Sequence, residues 1–90
     1  MQTILAAKIE TIKAEIAAQL GYDAKTLPVH IDDKQAAEVL GAKASTLAVW
    51  RSTGRYNLPF LKVGRLVRYR VSDLAEFLAR RTGRHTGEAI

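Results

Sequence analysis

The strongest constraint in this chain lies between Asp32 and Gly54, where two short helical segments are joined through Gly41 and neither is long enough to be stable alone. Asp32 can accept the orphan amides of a first turn while Gln35 reaches back to it, a capping-box arrangement that opens a helix. Gly41 ends that helix. A second is predicted from about Ala44 to Thr53, closed by Gly54. Packing two such helices tightly sets a separate steric demand at each of Ala36, Ala37, Leu40, Gly41, Ala42, Leu47 and Trp50. Ala37 must be small where the helices cross, and Gly41 suits a turn position with positive φ. Leu40, Leu47 and Trp50 fill the space between the helices. The joint pattern reads as a helix-turn-helix.

A short loop, Arg55 to Pro59, leads into two runs rich in apolar residues, Phe60 to Val63 and Leu66 to Val71. Gly64-Arg65 between them, glycine first, suits a type II′ hairpin turn. In the second strand Val67, Tyr69 and Val71 alternate with Leu66, Arg68 and Arg70, giving one apolar and one mostly basic face. Ser72 is expected to cap a last helix, with Asp73 at its positive end and Leu74, Phe77 and Leu78 as its inner stripe. Fraying is expected beyond Thr82.

At the other end, Leu5, Ile9, Ile12, Ile16 and Leu20 fall on one helical stripe that Gly21 closes, so Ile4 to Leu20 is predicted as an amphipathic helix. Tyr22 to Ile31, with Pro28 and no helical period, reads as an extended connector. The expected fold class is therefore mainly α with a small β-hairpin: a winged helix-turn-helix over 32–82, an extra N-terminal helix over 1–21, a connector over 22–31 and a flexible tail over 83–90. Ninety residues make one domain of this kind, not two.

The net charge of +5 is unevenly spread. Met1 to Leu40 carries four Lys against six Asp or Glu, whereas Gly41 to Arg84 carries ten Lys or Arg against Asp73 and Glu76. A basic half attracts polyanions and releases counterions from a nucleic-acid backbone. Several other chemistries have no residues to carry them. Without cysteine there is neither a disulfide nor a thiolate metal site, and His30 and His85 are too far apart to suggest a metal pair. Asp32 and Asp33 are better explained by a helix cap than by acid-base work, and no phosphate-binding glycine loop or nucleophile with a base is present. The chain is thus expected to be no enzyme and to need no cofactor. No apolar run approaches membrane-spanning length, so a cytoplasmic protein with no membrane partner is expected.

On a helix-turn-helix docked in a major groove, base-facing groups come from the start and outer face of the second helix: Lys43, Ala44, Ser45, Ala48 and Val49, with Arg51 beside them. Ser45 can exchange hydrogen bonds with a base or phosphate, and the small apolar residues can touch thymine methyls. None of the base-facing five is an Arg, Asn or Gln that reads a base bidentately, which moves weight to DNA shape and to the hairpin. Arg55, Lys62, Arg65, Arg68 and Arg70 are the phosphate and minor-groove candidates, with Arg65 at the hairpin tip and Lys62, Arg68 and Arg70 lining its flank. Arg70 can equally pair with Asp73. Trp50 and Tyr69 read as core, and Tyr56 as a loop aromatic that either packs, as such residues more often do, or donates to a phosphate.

The stretches "KQAAEVLGAKASTLAVWRSTG" and "LPFLKVGRLVRYRVSDLAEFL" resemble the excisionase and AlpA-type branch of the MerR-like winged-helix proteins, over about half of the chain, Asp33 to Arg80. The resemblance implies a small bacterial or phage DNA-binding regulator: either a transcription factor, or an excisionase that bends DNA and partners an integrase. Two departures stand out: Lys43 replaces the usual Ser or Thr cap, and the helix Met1 to Leu20 lies outside the pattern. That helix can pack on its own domain, which favours head-to-tail binding to direct repeats, or pair with its copy in a homodimer on a palindrome. The competing function is a protein-interaction module, an anti-repressor or adaptor built on the same fold.

Overall fold

The N-terminal stripe forms helix α1 (Ile4–Leu20) in a computed structural model that describes residues 4–81. The tail expected over 83–90 and His85 lie outside the described residues. Gly21, at φ 85°, ends α1. Tyr22 N–H donates to the Ala17 carbonyl at 2.8 Å and Gly21 N–H to that of Ala18 at 3.2 Å, the paired bonds of a Schellman cap. α1 packs along the C-terminal helix α4 (Val71–Arg81), so the extra helix is a layer of its own domain's core. Ile16 and Ala17 are buried, and Leu5, Ile9, Ile12 and Leu20 half-buried, as the stripe predicts. On α4, Leu74 is joined in the core by Ala75 and Ala79, whose small side chains let a neighbouring helix lie close. Gln19 Nε2 ties α1 to the Glu38 carbonyl at 3.0 Å.

The connector differs from the extended chain expected. Asp23 organises a turn, its carboxylate accepting from the amides of Lys25 at 2.9 Å and Thr26 at 3.0 Å. Its end forms a strand that the sequence did not announce, β1 (His30–Asp32). The hairpin strands are β2 (Leu61–Val63) and β3 (Leu66–Arg70), and the sheet runs β1-β3-β2, all antiparallel. The expected hairpin is therefore part of a three-stranded sheet. Gly64 has φ 59° and Arg65 is not left-handed, which fits the II′ turn and excludes type I′.

Asp32 is both the last residue of β1 and the cap of α2 (Asp33–Leu40). Its Oδ1 accepts from Gln35 N–H at 2.7 Å while Gln35 Oε1 accepts from Asp32 N–H at 3.3 Å, the predicted capping box. Gly41 (φ 69°) turns the chain into α3 (Ala44–Thr53), which Gly54 (φ 71°) closes. A Cβ at Gly41 would meet nothing within 4 Å, so the cost of a side chain there is conformational. Gly41→Ala is expected to lower stability by about 1 kcal/mol in thermal melts, and Gly41→Asn by less, because asparagine tolerates the left-handed region.

α4 begins one residue before the Ser72 cap expected. Val71 N–H donates to the Val29 carbonyl at 2.9 Å, so strand β3 passes straight into the helix and Ser72 lies exposed in its first turn. The shared core joins Ile16 of α1, Ile31 of β1, Ala36 and Ala37 of α2, Leu47 of α3, Tyr69 of β3 and Leu74 of α4. Ala37 is 4% exposed and Leu47 fully buried, as the crossing of α2 and α3 requires; Leu40 and Trp50 are only half-buried at its margin.

Candidate nucleic-acid interface

Leu47 anchors α3 to the core and thereby turns the opposite side of the helix outward. Lys43, Ala44, Ser45, Ala48 and Val49 are all exposed there, Val49 at 55%. Ser52, one helical turn beyond Ala48 on the same face, joins them. The sequence reading passed over Ser52, although the spacing Ala44, Ala48, Ser52 was its signal. Lys43 occupies the N-cap with extended backbone (φ −97°, ψ 151°) and makes no side-chain cap bond. Thr46 N–H turns back to the Lys43 carbonyl at 2.9 Å, and the Ala44 and Ser45 amides, without the side-chain acceptor that a Ser or Thr would supply, are ones a phosphate oxygen is chemically able to meet.

Arg51 points the other way. Its Nη1 donates to Asp33 Oδ1 at 2.8 Å and to Tyr69 Oη at 2.7 Å, and its guanidinium lies 5.9 Å from the centre of the Phe60 ring. Burial works to lower the Arg51 pKa, but the bonds to Asp33 and Tyr69 outweigh it and hold the group above its ordinary value. Burial pushes the Tyr69 hydroxyl up despite the opposing cation. Arg51 thus joins the start of α2, the end of α3 and the central strand. It holds α3 against the sheet, and both Nη1 donors are taken up inside the fold.

The pairing register sorts the remaining cations. Lys62 stands opposite Val67, and Leu61 opposite Arg68, while Val63 faces Leu66 across the turn. Paired residues share a face and successive residues alternate, so Lys62 projects from one side of the hairpin and Arg68 and Arg70 from the other. The sequence reading had grouped these three on one flank. Arg65 sits exposed at the tip. Among the described residues, Lys43, Lys62 and Arg65 have no acidic partner, whereas Arg70 Nε lies 4.0 Å from Asp73 Oδ2. Arg68 is half-buried, its Nη1 donating to the Val67 carbonyl at 3.4 Å.

Between helix and wing, a short 3-10 turn, Arg55–Asn57, carries Tyr56 (φ 63°) and Asn57 (φ 55°) in the left-handed region. A tyrosine there is strained, and its ring packing holds it: Tyr56 meets Trp50 edge-on at 4.8 Å and Phe77 at 6.4 Å. Arg55 lies 5.0 Å from the Tyr56 ring centre and is otherwise exposed, so the loop aromatic packs as the sequence suggested and carries a cation on its outer side.

Two helices joined at Gly41 and followed by a hairpin thus stand in the order of a winged helix-turn-helix domain. Residues 31–82, more than half of the chain, match the family described as a helix-turn-helix domain. The chain belongs to that helix-turn-helix family. No curated protein and no solved structure matches it. The helix-turn-helix match opens inside β1 and runs past the end of α4, so β2, β3 and all but the first residue of β1 belong to the shared unit and α1 is an addition to it. Membership makes double-stranded DNA the partner of this helix-turn-helix protein. No helix among the described residues is long and apolar enough to cross a membrane, and no group of three His, Cys, Asp or Glu there can hold a metal ion.

Proposed function

We propose that this protein is a sequence-preferring DNA binder of bacterial or phage origin, acting in the cytoplasm as a transcriptional regulator or an excisionase. α3 enters the major groove with Lys43, Ala44, Ser45, Ala48, Val49 and Ser52 toward the bases, and the wing enters the adjacent minor groove. The observation that carries this reading is the division of the wing cations: Arg65 at the tip, Lys62 on one face, Arg68 and Arg70 on the other. A blade with cations on both faces fits edge-on between the two phosphate walls of a groove. Arg55 reaches the backbone between the two grooves, and Arg51 acts through its hold on α3. Since α1 is used inside its own domain, copies assemble head-to-tail on direct repeats. An integrase is the protein partner if the bound sites fall at an attachment locus; sites over a promoter assign a role in transcription.

Selection from a random duplex library followed by binding across a salt series tests the reading. A DNA binder loses affinity steeply as salt rises, and an adaptor module recovers no duplex. Arg65→Ala and Lys62→Ala are each expected to weaken binding severalfold and to reduce the salt slope by about one, with the thermal melt unchanged. A reduced slope for Arg68→Ala but not for Lys62→Ala would mean that the hairpin lies flat on DNA instead. Exchanging Ser45 or Val49 is expected to change the sequence recovered.

A further inference from the structure

The wing cations leave the apolar part of the hairpin unexplained. Val63 is 72% exposed and Leu66 56%, and they face each other on the rung next to the Gly64-Arg65 turn. Single exposed apolar residues need no explanation, but a contiguous pair at the far end of a thin hairpin, away from the core, is a surface waiting to be covered. The side chains around it say by what. Arg65 lies beyond the pair at the tip, and Arg68 lies on the next rung of the same face, cross-strand to Leu61. Read inward from the tip, the order is cation, apolar pair, cation.

A DNA minor groove has the same layering: base edges at its floor, deoxyribose along its walls and phosphates at its rim. The spacing agrees as well. Leu66 lies one residue and Arg68 three residues in from Arg65, about 3 and about 10 Å along the strand, and the groove is about 7.5 Å deep, so Arg68 stands just outside a rim that its long side chain can reach. With Arg65 at the floor, Arg68 reaches the rim and the Val63–Leu66 pair lies at the level of the sugars.

We propose that Val63 and Leu66 form an apolar wedge that enters the minor groove beside Arg65 and packs against its deoxyribose wall. The inference rests on the reading of the chain as a DNA binder with its wing in that groove. The wedge supplies affinity that does not depend on counterion release, and it prefers sites whose minor groove can admit it.

The double variant Val63→Thr with Leu66→Gln tests this on a duplex recovered from the random library. Both positions are exposed, so the thermal melt should match the parent. Affinity is expected to fall about tenfold at fixed salt, with the salt slope unchanged because no phosphate contact is lost. Hydroxyl-radical cleavage, which attacks sugars lining the minor groove, should show protection beside the α3 site with the parent and lose it with the variant. Affinity within twofold of the parent overturns the wedge, as does a fall in slope like that of Arg65→Ala. Unchanged affinity for a single site with lost self-association would assign the pair to contacts between protein copies. If the parent itself recovers no duplex, the DNA reading fails and the wedge with it; if the parent binds and the variant binds as tightly, only the wedge falls.

Discussion

A chain shortened to begin at Gly21 is expected to lose its cooperative thermal transition. Removing α1 takes Ile16 and Ala17 out of the core and uncovers the side of α4 on which α1 lies. Full burial of one isoleucine contributes about 1.5–3 kcal/mol. Adding the half-buried Ile9, Ile12 and Leu20 brings the loss to roughly 4–7 kcal/mol, against a total of about 5–15 kcal/mol for a domain of this kind. Ile16→Ala gives the scale in a single step, with an expected loss of about 2–4 kcal/mol. Circular dichroism on heating measures both. A shortened chain that melts within a few degrees of the parent would show that α1 is not part of the core, and would return it to the role of a dimerisation helix.

The second large effect is expected at Arg51, and it should reach both stability and DNA binding. Arg51→Ala leaves the Asp33 carboxylate and the largely buried Tyr69 hydroxyl without their shared donor. The expected cost is about 2–3 kcal/mol, or roughly 10–20 °C in Tm for a domain of this size. Below the melt, affinity for DNA should also fall, because α3 loses its tie to the strand that carries the wing. Arg51→Lys keeps the charge but not the fork and should recover only part of the loss. Tyr69→Phe separates the two bonds, with an expected cost of about 1 kcal/mol. It also has a pH signature. Burial holds the Tyr69 pKa above the ordinary 10.0, so the folded state keeps a proton that the unfolded state releases. The contribution of that hydroxyl is complete below pH 10 and declines above it, and the stability gap between parent and Tyr69→Phe should narrow there. A gap that stays constant through alkaline pH would show that the hydroxyl does not titrate differently in the two states.

Local signals made most of this fold legible. The stripe of α1, the Asp32–Gln35 box and the glycines at 21, 41, 54 and 64 each act within a few residues, and each fixes an element end in the structure. What escaped was non-local. β1 is three residues long, too short for any period, and exists because β3 offers an edge to it. The Arg51 network joins three elements, and nothing around Arg51 in sequence announces Asp33 or Tyr69. Ala75 and Ala79 were overlooked for a different reason: a small residue marks a close helix approach only once the partner helix is known. The faces of the wing could have been read, since a two-residue turn places Val63 opposite Leu66 and so Lys62 opposite Val67. Placing Lys62 on the same flank as Arg68 and Arg70 hid that parity.

Asp32 closes β1 and caps α2 with no residue between, and β3 passes into α4 in the same way. β1 pairs with β3, the strand that carries the wing, so α2, which leads to α3, is joined to that strand through β1, and Arg51 ties α3 itself to Tyr69 of β3. On the proposed reading, a protein built like this would act as a caliper of fixed opening. Such a caliper would sense the distance and angle from one groove to the next, so DNA whose local twist departs from that setting is expected to bind more weakly even where every base contact is correct.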